Sequence, residues 1–157
     1  MLTQTTMTAI QALLYMALHE RDEPFAPPEL CEYISTSPQY LSKIHTQLVK
    51  AGILNAHRGA KGGVTLARPL EQITLLDIVE AAQGRILGDY CQRHDDPDAV
   101  CALHAAMHEL QEATIEILSR WTLADLRDRP RPCEALRPYV QCRLRFSTGR
   151  PSVLGSR

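Results

Sequence analysis

The first part of the chain alternates between apolar residues at helical spacing and short polar or proline-rich breaks. In residues 6–20 the apolar positions recur at intervals of three and four, which predicts an amphipathic helix. These positions are Ile10, Leu13, Leu14, Ala17 and Leu18. The sequence RDEPFAPP then predicts a loop, and PELCEYI, which begins at Pro28, predicts a short second helix with proline in its first turn. STS follows as a tight turn.

A third helix is predicted over SPQYLSKIHTQLVKAG. Ser37 suits the N-cap, Pro38 the first helical position, and Gly52 the position just after the helix. The predicted buried face consists of Leu41, Ile44 and Leu48. The opposite face is polar, basic and free of acids, and it carries Gln39, Ser42, Lys43, Thr46 and Lys50. Such groups suit phosphates and base edges in a major groove, although a solvated helix face has the same composition. His45 is a further candidate for contact with phosphate.

The sequence ILNAHRGAKGGVTLA predicts two short strands around a glycine-rich turn. Its tip carries His57, Arg58 and Lys61. Because the glycines around these residues let a backbone approach closely, the tip can enter a minor groove or clamp phosphates. A helix-turn-helix followed at once by a basic hairpin predicts a winged helix that binds DNA.

Further helices are predicted after the hairpin. TLLDIVEAAQ forms one over residues 74–83, with Thr74 as its cap and Asp77 completing a capping box. A long helix from about Val100 to Arg120 carries an apolar stripe made of Leu103, Met107, Leu110, Thr114, Ile117 and Leu118. A small winged-helix domain has little core left to cover this stripe, so pairing with a second copy is favoured over folding back. Thr122 is predicted to cap a short last helix, TLADL.

These elements predict a mainly α fold with a small β-hairpin. The predicted units are a winged helix-turn-helix domain (1–83), a Cys/His loop (84–100), a dimerisation helix with a short C-terminal helix (101–127) and a flexible basic tail (128–157). Charge supports the tail, since residues 1–126 carry 9 Lys/Arg and 16 Asp/Glu, whereas residues 127–157 carry 8 Arg and 2 acids. The tail is expected to be solvated, or to touch DNA phosphates or the acidic body.

Composition narrows the classes of protein. The sequence contains no run of eighteen apolar residues, so no membrane span is expected. The N-terminal pattern predicts an amphipathic helix rather than a signal peptide. A cytoplasmic protein is therefore expected. An odd count of five cysteines favours reduced thiols or metal ligands over a disulfide framework. There is no nucleophile motif, phosphate-binding loop or pair of catalytic carboxylates in the sequence, so an enzyme is not expected.

The stretch YCQRHDDPDAVCALH, residues 90–104, is the candidate cofactor site. Its candidate ligands are Cys91, His94, Cys101 and His104. Thiolate and imidazole together suit an iron–sulfur cluster or zinc. Without a metal, the two cysteines would be thiol sensors or would have no role in sensing.

Several segments resemble one family of regulators. YLSKIHTQLVKAGIL, RGAKGGVTLARPLEQITLLDIVEA, CALHAAMHEL and TLADL are similar to the IscR/NsrR/CymR regulators, the Rrf-two family, over roughly residues 5–127. The resemblance implies a homodimeric winged-helix transcription factor on a palindromic operator in double-stranded DNA. It places the third helix in a major groove and the wing in the adjacent minor groove. It also implies that Ser42 helps to read bases, with Gln39, Tyr40 and Lys43 nearby, and that Arg58 is the wing arginine.

The resemblance also implies a ligand set. Iron–sulfur members hold a cluster with cysteines between the fourth helix and the long helix, and some add a histidine three residues after the last cysteine. Cys91 matches the first cysteine, and Cys101 with His104 matches the final Cys-x-x-His. The middle cysteine is missing, which leaves His94 as the only plausible ligand between them. Met7 stands where other members use a ligand from the partner subunit.

Two cysteines and two histidines suit a 2Fe–2S cluster better than a 4Fe–4S cluster, which takes three cysteines more comfortably. The implied function is a regulator that senses redox, iron or nitric-oxide state. A cofactor-free or thiol-switch regulator of the same fold is the alternative. A protein-interaction module that does not bind DNA is a more distant one.

Overall fold

The computed structural model describes residues 2–59, 62–86 and 101–128. The elements in these ranges are α1 (Gln4–Leu18), α2 (Pro27–Ile34), α3 (Pro38–Lys50), β1 (Leu54–His57), β2 (Gly63–Leu66), a 3-10 helix (Leu70–Gln72), α4 (Leu75–Gln83), α5 (Ala102–Arg120) and α6 (Leu123–Asp128). The predicted mainly helical fold with one small hairpin is confirmed. Most of the predicted Cys/His loop and nearly all of the predicted basic tail lie outside the described residues.

The predicted boundaries of α3 are confirmed by its caps. The Ser37 hydroxyl oxygen accepts a hydrogen bond from the Tyr40 amide at 3.3 Å, and Pro38 is the first helical residue. Gly52 follows the helix with φ at +67°, a left-handed conformation that favours glycine. The sequence therefore contains both the start and the stop signal of α3.

Side-chain caps also set the starts of α1 and α4. Thr74 and Asp77 form the predicted capping box, with hydrogen bonds of 3.1 Å and 3.0 Å to each other's backbone amides. In α1 the Thr6 amide donates to the Thr3 hydroxyl oxygen at 3.2 Å. Because Thr3 is the cap, α1 begins at residue 4 instead of the predicted residue 6.

The core forms where α1, α3 and α4 meet, and α6 packs against it. Side chains with no exposed surface there include Leu13, Leu41, Ile44, Leu48, Ile78 and Leu123. Two backbone hydrogen bonds, both of 2.8 Å, join the start of α6 to the start of α4: Leu75 N–H to Trp121 O, and Leu123 N–H to Ile73 O. The C-terminal end of α5 is therefore fixed to the winged-helix body.

The wing is attached to the connection between α1 and α2. Strands β1 and β2 pair in antiparallel register from Leu54 opposite Leu66 to His57 opposite Gly63. Phe25 extends the pairing, since its amide donates to Val64 O at 2.9 Å and its carbonyl accepts from Val64 N at 3.1 Å. A Cβ at Gly63 would lie against the Phe25 carbonyl group, 2.8 Å from its carbon. Glycine is therefore required for the wing to pack this closely on the body.

The apolar stripe predicted on α5 divides into two parts. Leu118 is buried, and it is the one buried residue among the described residues of this helix. Leu103, Leu110 and Ile117 are 71%, 58% and 50% exposed. Although α5 has 19 residues, no helix within the described ranges is long and apolar enough to cross a membrane. One chain thus buries Leu118 and partly covers Met107 and Thr114, but it leaves Leu103, Leu110 and Ile117 at least half exposed.

Candidate nucleic-acid interface

The polar face predicted on α3 is exposed. Its members Gln39, Ser42, Lys43, Thr46 and Lys50 all lie at the surface, opposite the buried leucines and isoleucine of the same helix. The Thr46 hydroxyl donates to the Ser42 carbonyl at 2.9 Å, so only its lone pairs remain for another partner. The long stretch from residue 33 to residue 70 contains five Lys/Arg and no Asp or Glu. This surface suits an anion such as the DNA backbone.

Tyr40 is also on α3 and lies at the edge of that face, half-buried. Its ring packs against the core. Its hydroxyl is 3.0 Å from the hydroxyl of Thr5 on α1, and the two share a hydrogen bond. The structure thus brings Tyr40 to α1, a contact that sequence reasoning missed because the two residues are 35 positions apart.

His45 is buried rather than exposed, which corrects the expectation that it contacts phosphate. It is 7% exposed. Burial lowers the pKa of His45 from 6.5 to about 4, so the folded protein holds it neutral near pH 7. Its Nε2 atom has no hydrogen-bond partner among the described residues. A buried neutral imidazole cannot bind a phosphate, so His45 belongs to the packing of α3.

The hairpin presents Arg58 to solvent. Arg58 and His57 are both exposed, and Lys61 lies outside the described residues. The turn is closed by a hydrogen bond from the Gly62 amide to Gly59 O at 2.9 Å, and Gly59 has a φ of +106°. The His57 Nε2 atom is 2.8 Å from the Thr65 hydroxyl oxygen across the hairpin. Arg58 is therefore the cation that the described part of the wing leaves for a nucleic acid.

His57 also lines an open groove between the wing and the body. The groove has a volume of about 540 Å³, and its walls include Thr65, Arg21, Phe25 and Arg68. The Arg21 guanidinium lies 4.0 Å above the Phe25 ring and bonds Glu29 at 2.6 Å. These contacts fix the α1–α2 connection on which the wing rests.

Two of the four candidate cofactor ligands are in the described ranges. Cys101 is the N-cap residue of α5; it is exposed and forms no side-chain capping bond. His104 is half-buried in the first turn of α5, three residues later, where residues share a side of the helix. Cys91 and His94 fall outside the described residues, among which no group of three or more possible metal ligands occurs.

The candidate partner-subunit ligand, Met7, is half-buried in the first half of α1. Its neighbour Thr6 is fully buried and donates a hydrogen bond to Gln83 of α4. A thioether is a soft but weak ligand, so this position adds little to the set. The donors that the chain offers are thiolates and imidazoles, a set that fits an iron–sulfur cluster or zinc chemically.

Comparison with known proteins decides the family. The model of the family Rrf2, described as an iron-dependent transcriptional regulator, matches residues 2–129. The transcriptional regulator NsrR of Geobacillus kaustophilus is 33% identical over 129 residues, which cover 80% of this chain and 88% of that protein. The chain belongs to the Rrf2 family of transcriptional regulators. The family resemblance predicted from the sequence is therefore confirmed.

Solved structures of Rrf2 regulators share the fold. CymR, the global cysteine regulator of B. subtilis, superimposes with a TM-score of 0.68 at 22% identity, over 83% of this chain and 98% of that one. IscR of T. potens superimposes with a TM-score of 0.64 at 25% identity, over 80% of this chain and 85% of that one. The helices, the hairpin and the long α5 thus form a winged-helix fold.

Proposed function

We propose that this Rrf2 regulator binds a palindromic operator in double-stranded DNA as a homodimer in the cytoplasm, and that a sensor segment at residues 91–104 controls its affinity. The observation that carries the DNA-binding part is the exposed, acid-free face of α3 beside a wing that presents Arg58. In this arrangement α3 enters a major groove and the wing enters the adjacent minor groove. Each group then meets a phosphate or a base edge.

The proposed roles follow from position and chemistry. Ser42 and Gln39 lie on the first turns of α3 and can exchange hydrogen bonds with base edges. Lys43 and Lys50 are point charges for phosphates. Because the Thr46 hydroxyl donates to the Ser42 carbonyl, it can accept a hydrogen bond from a base amino group. Arg58 is the charge that the wing brings to the minor groove. Lys61 and His57 remain further candidates at the wing tip.

Dimerisation is supported by the exposed part of the α5 stripe. Three large apolar side chains there are at least half exposed and follow each other at intervals of seven residues. A seven-residue apolar repeat is typical of two helices that pack along each other. In a two-fold dimer, the exposed stripe of each copy would cover the exposed stripe of the other. A dimer with this symmetry matches a palindromic DNA sequence, because each copy meets the same half-site.

The sensor part of the proposal rests on the donor set. Cys91, Cys101, His94 and His104 would hold a 2Fe–2S cluster, a group that changes charge with redox state and reacts with oxidants and nitric oxide. The protein would hold two of the ligands, Cys101 and His104, at the N-terminal end of α5. It would also transmit a change in the state of the cluster to α3. That transmission requires two states with different affinities for DNA. A thiol switch through the exposed Cys101 is the alternative.

We expect Arg58→Ala to weaken DNA binding by about 1–2 kcal/mol and to reduce the slope of log affinity against log salt by about one. The reason is that one phosphate or minor-groove contact, with its released counterion, is lost. Fluorescence anisotropy with DNA from upstream of the protein's own gene, at several salt concentrations, measures the affinity and its salt dependence. Arg120→Ala is the matched control, because Arg120 is an exposed arginine at the C-terminal end of α5. Equal slopes for Arg58→Ala and wild type would contradict the wing assignment.

We expect protein purified without oxygen to contain iron and acid-labile sulfide in equal amounts, with visible absorption. Cys101→Ser should lose both, because serine replaces a thiolate ligand with a poor one. Cys31→Ser is the control, since Cys31 is buried on α2 and outside the ligand set. Colourless, iron-free wild-type protein would reject the cluster. If its DNA binding then responded to thiol oxidation, the thiol switch would replace the cluster as the sensor.

A further inference from the structure

Three threonines at the N-terminus of α1, namely the cap Thr3 with Thr5 and Thr6, form hydrogen bonds to two other helices. The Oε1 atom of Gln83, the last residue of α4, accepts from the Thr3 amide at 3.1 Å and from the Thr6 hydroxyl at 2.8 Å. The Thr5 and Tyr40 hydroxyls share a hydrogen bond of 3.0 Å. The first turn of α1 therefore connects the end of α4 with the first turn of α3.

The Gln83 contact is anchored by a buried group. Thr6 has no exposed surface, and its hydroxyl is 3.0 Å from the Thr3 hydroxyl as well as bonded to Gln83. A buried hydroxyl without a partner is unfavourable, so Thr6 holds the Gln83 amide in one position. Gly84 ends α4 immediately afterwards, with φ at +91°. Beyond it the chain continues into residues 87–100, which carry two of the candidate ligands.

The Tyr40 contact lies at the edge of the DNA-binding face, because Tyr40 is about 60° around an ideal helix from Lys43. Tyr40 is the third residue of α3, in the part of a recognition helix that contacts base edges. On an ideal helix it lies about 160° around the axis from Ser42. Its ring packs on the core and its hydroxyl bonds Thr5. Tyr40 is thus placed to fix how α3 is rotated about its own axis.

We propose that Tyr40 is a positioning residue whose hydrogen bond to Thr5 sets the rotation of α3 in the major groove, and that Gln83, through Thr3 and Thr6, fixes the turn of α1 that carries Thr5. The inference rests on the proposed DNA-binding function and deepens it. It connects the end of α4, which precedes the sensor segment in the chain, to α3 through side chains of one subunit. Hydrogen bonds to bases weaken steeply with distance and angle, so a small rotation of α3 changes base preference without removing a phosphate contact.

The test is a double-mutant cycle that removes hydroxyls alone. Tyr40→Phe and Thr5→Val each delete one hydroxyl with little change in shape, and Thr5→Ser keeps the hydroxyl as the matched control. The probe is a duplex that wild-type protein selects from a random-sequence pool, and each variant is also used to select from that pool. We expect each single variant to bind about fivefold more weakly, and the double variant no more weakly than either. Thr5→Ser should behave as wild type.

Two further readouts separate positioning from general stability. Base preference should relax at the positions read by α3 in both single variants, while the salt slope stays that of wild type. Gln83→Leu should shift base preference in the same direction, and it should have no further effect in the Tyr40→Phe background. Thermal unfolding of each variant, monitored by circular dichroism, measures its stability in the absence of DNA.

Distinct outcomes overturn the inference and the proposed function. Loss of affinity in Tyr40→Phe but not in Thr5→Val would mean that the Tyr40 hydroxyl contacts DNA itself, and the positioning role would be wrong. Wild-type affinity in both variants, or a lower melting temperature with unchanged base preference, would also overturn it. A wild-type protein that enriches no sequence from the pool would instead overturn the DNA-binding function.

Discussion

Leu110→Asp is expected to convert the proposed dimer into a monomer and to weaken binding to the proposed palindromic operator by at least about 100-fold. Leu110 is 58% exposed at the middle of a stripe whose other members, Leu103 and Ile117, are seven residues away on either side. If two copies of α5 pair there, the carboxylate introduced in each copy would be buried in an apolar contact. Burying a charge without a partner is strongly unfavourable, and a two-fold axis would bring two like charges together.

Sedimentation equilibrium measures the mass, and anisotropy with full and half operators measures the loss of bivalent binding. Ser119→Asp is the matched control: it adds the same carboxylate at an exposed site about 180° around α5 from Leu110. This control should remain dimeric. Circular dichroism of Leu110→Asp checks that the monomer is folded. A folded Leu110→Asp protein that is still a dimer would show that the stripe is not the interface.

The apolar stripe of α5 shows what helical periodicity can predict and what it cannot. Spacing alone identified Leu103, Leu110, Ile117 and Leu118 as apolar members of one face, and the structure keeps them on one helix. Spacing does not say which neighbour covers each residue. Leu118 packs on the chain's own body because the following residues return to the start of α4, whereas Leu103 stays exposed. That difference depends on tertiary contacts that no local pattern contains.

The caps were predictable because their determinants are local. Ser37 and Pro38 fix the start of α3, and Thr74 with Asp77 fixes α4, each within a few residues. The exposed polar face of α3 followed in the same way from the position of Leu41 opposite it. Local rules thus predicted the elements that carry the candidate site, and the family resemblance predicted their arrangement.

Contacts between distant residues were not predictable. The Thr5–Tyr40 and Thr6–Gln83 hydrogen bonds join residues 35 and 77 positions apart. Threonines are common at helix N-termini, so their presence in the sequence does not indicate which residues they contact. Only the tertiary packing brings these three threonines into contact with α3 and α4. The sequence also left His45 as a candidate for phosphate, because helical spacing does not reveal how far the covered face of α3 extends.

His45 is expected to make the protein lose stability in acid. The folded protein holds His45 neutral, because burial lowers its pKa to about 4 from 6.5. The unfolded chain gains a proton on this residue once the pH falls below about 6.5, so protonation favours unfolding. The free energy of unfolding should be unaffected by His45 above about pH 7. It should fall by about 3 kcal/mol between pH 7 and pH 4 through His45 alone.

Urea unfolding of wild type and His45→Leu at several pH values isolates this effect from the carboxylates. Leucine has a similar size and removes the Nε2 atom that lacks a partner among the described residues, so the two proteins should differ by no more than about 1 kcal/mol at pH 8. His108→Gln is the control for removing a histidine from the surface, since His108 is exposed on α5 and lies outside the buried core. Parallel curves for wild type and His45→Leu would contradict the prediction.

Protonation of His45 is also expected to act on α3 directly. His45 lies on α3, so protonation acts first on the helix that carries Ser42 and Lys43. The protection factors of the α3 amides, which are exchange rates corrected for the intrinsic rate at each pH, should therefore fall below about pH 6 before those of the α1 amides do, and His45→Leu should abolish this difference. An equal fall of the protection factors in α1 and α3 would mean that the buried imidazole destabilises the whole domain as one cooperative unit.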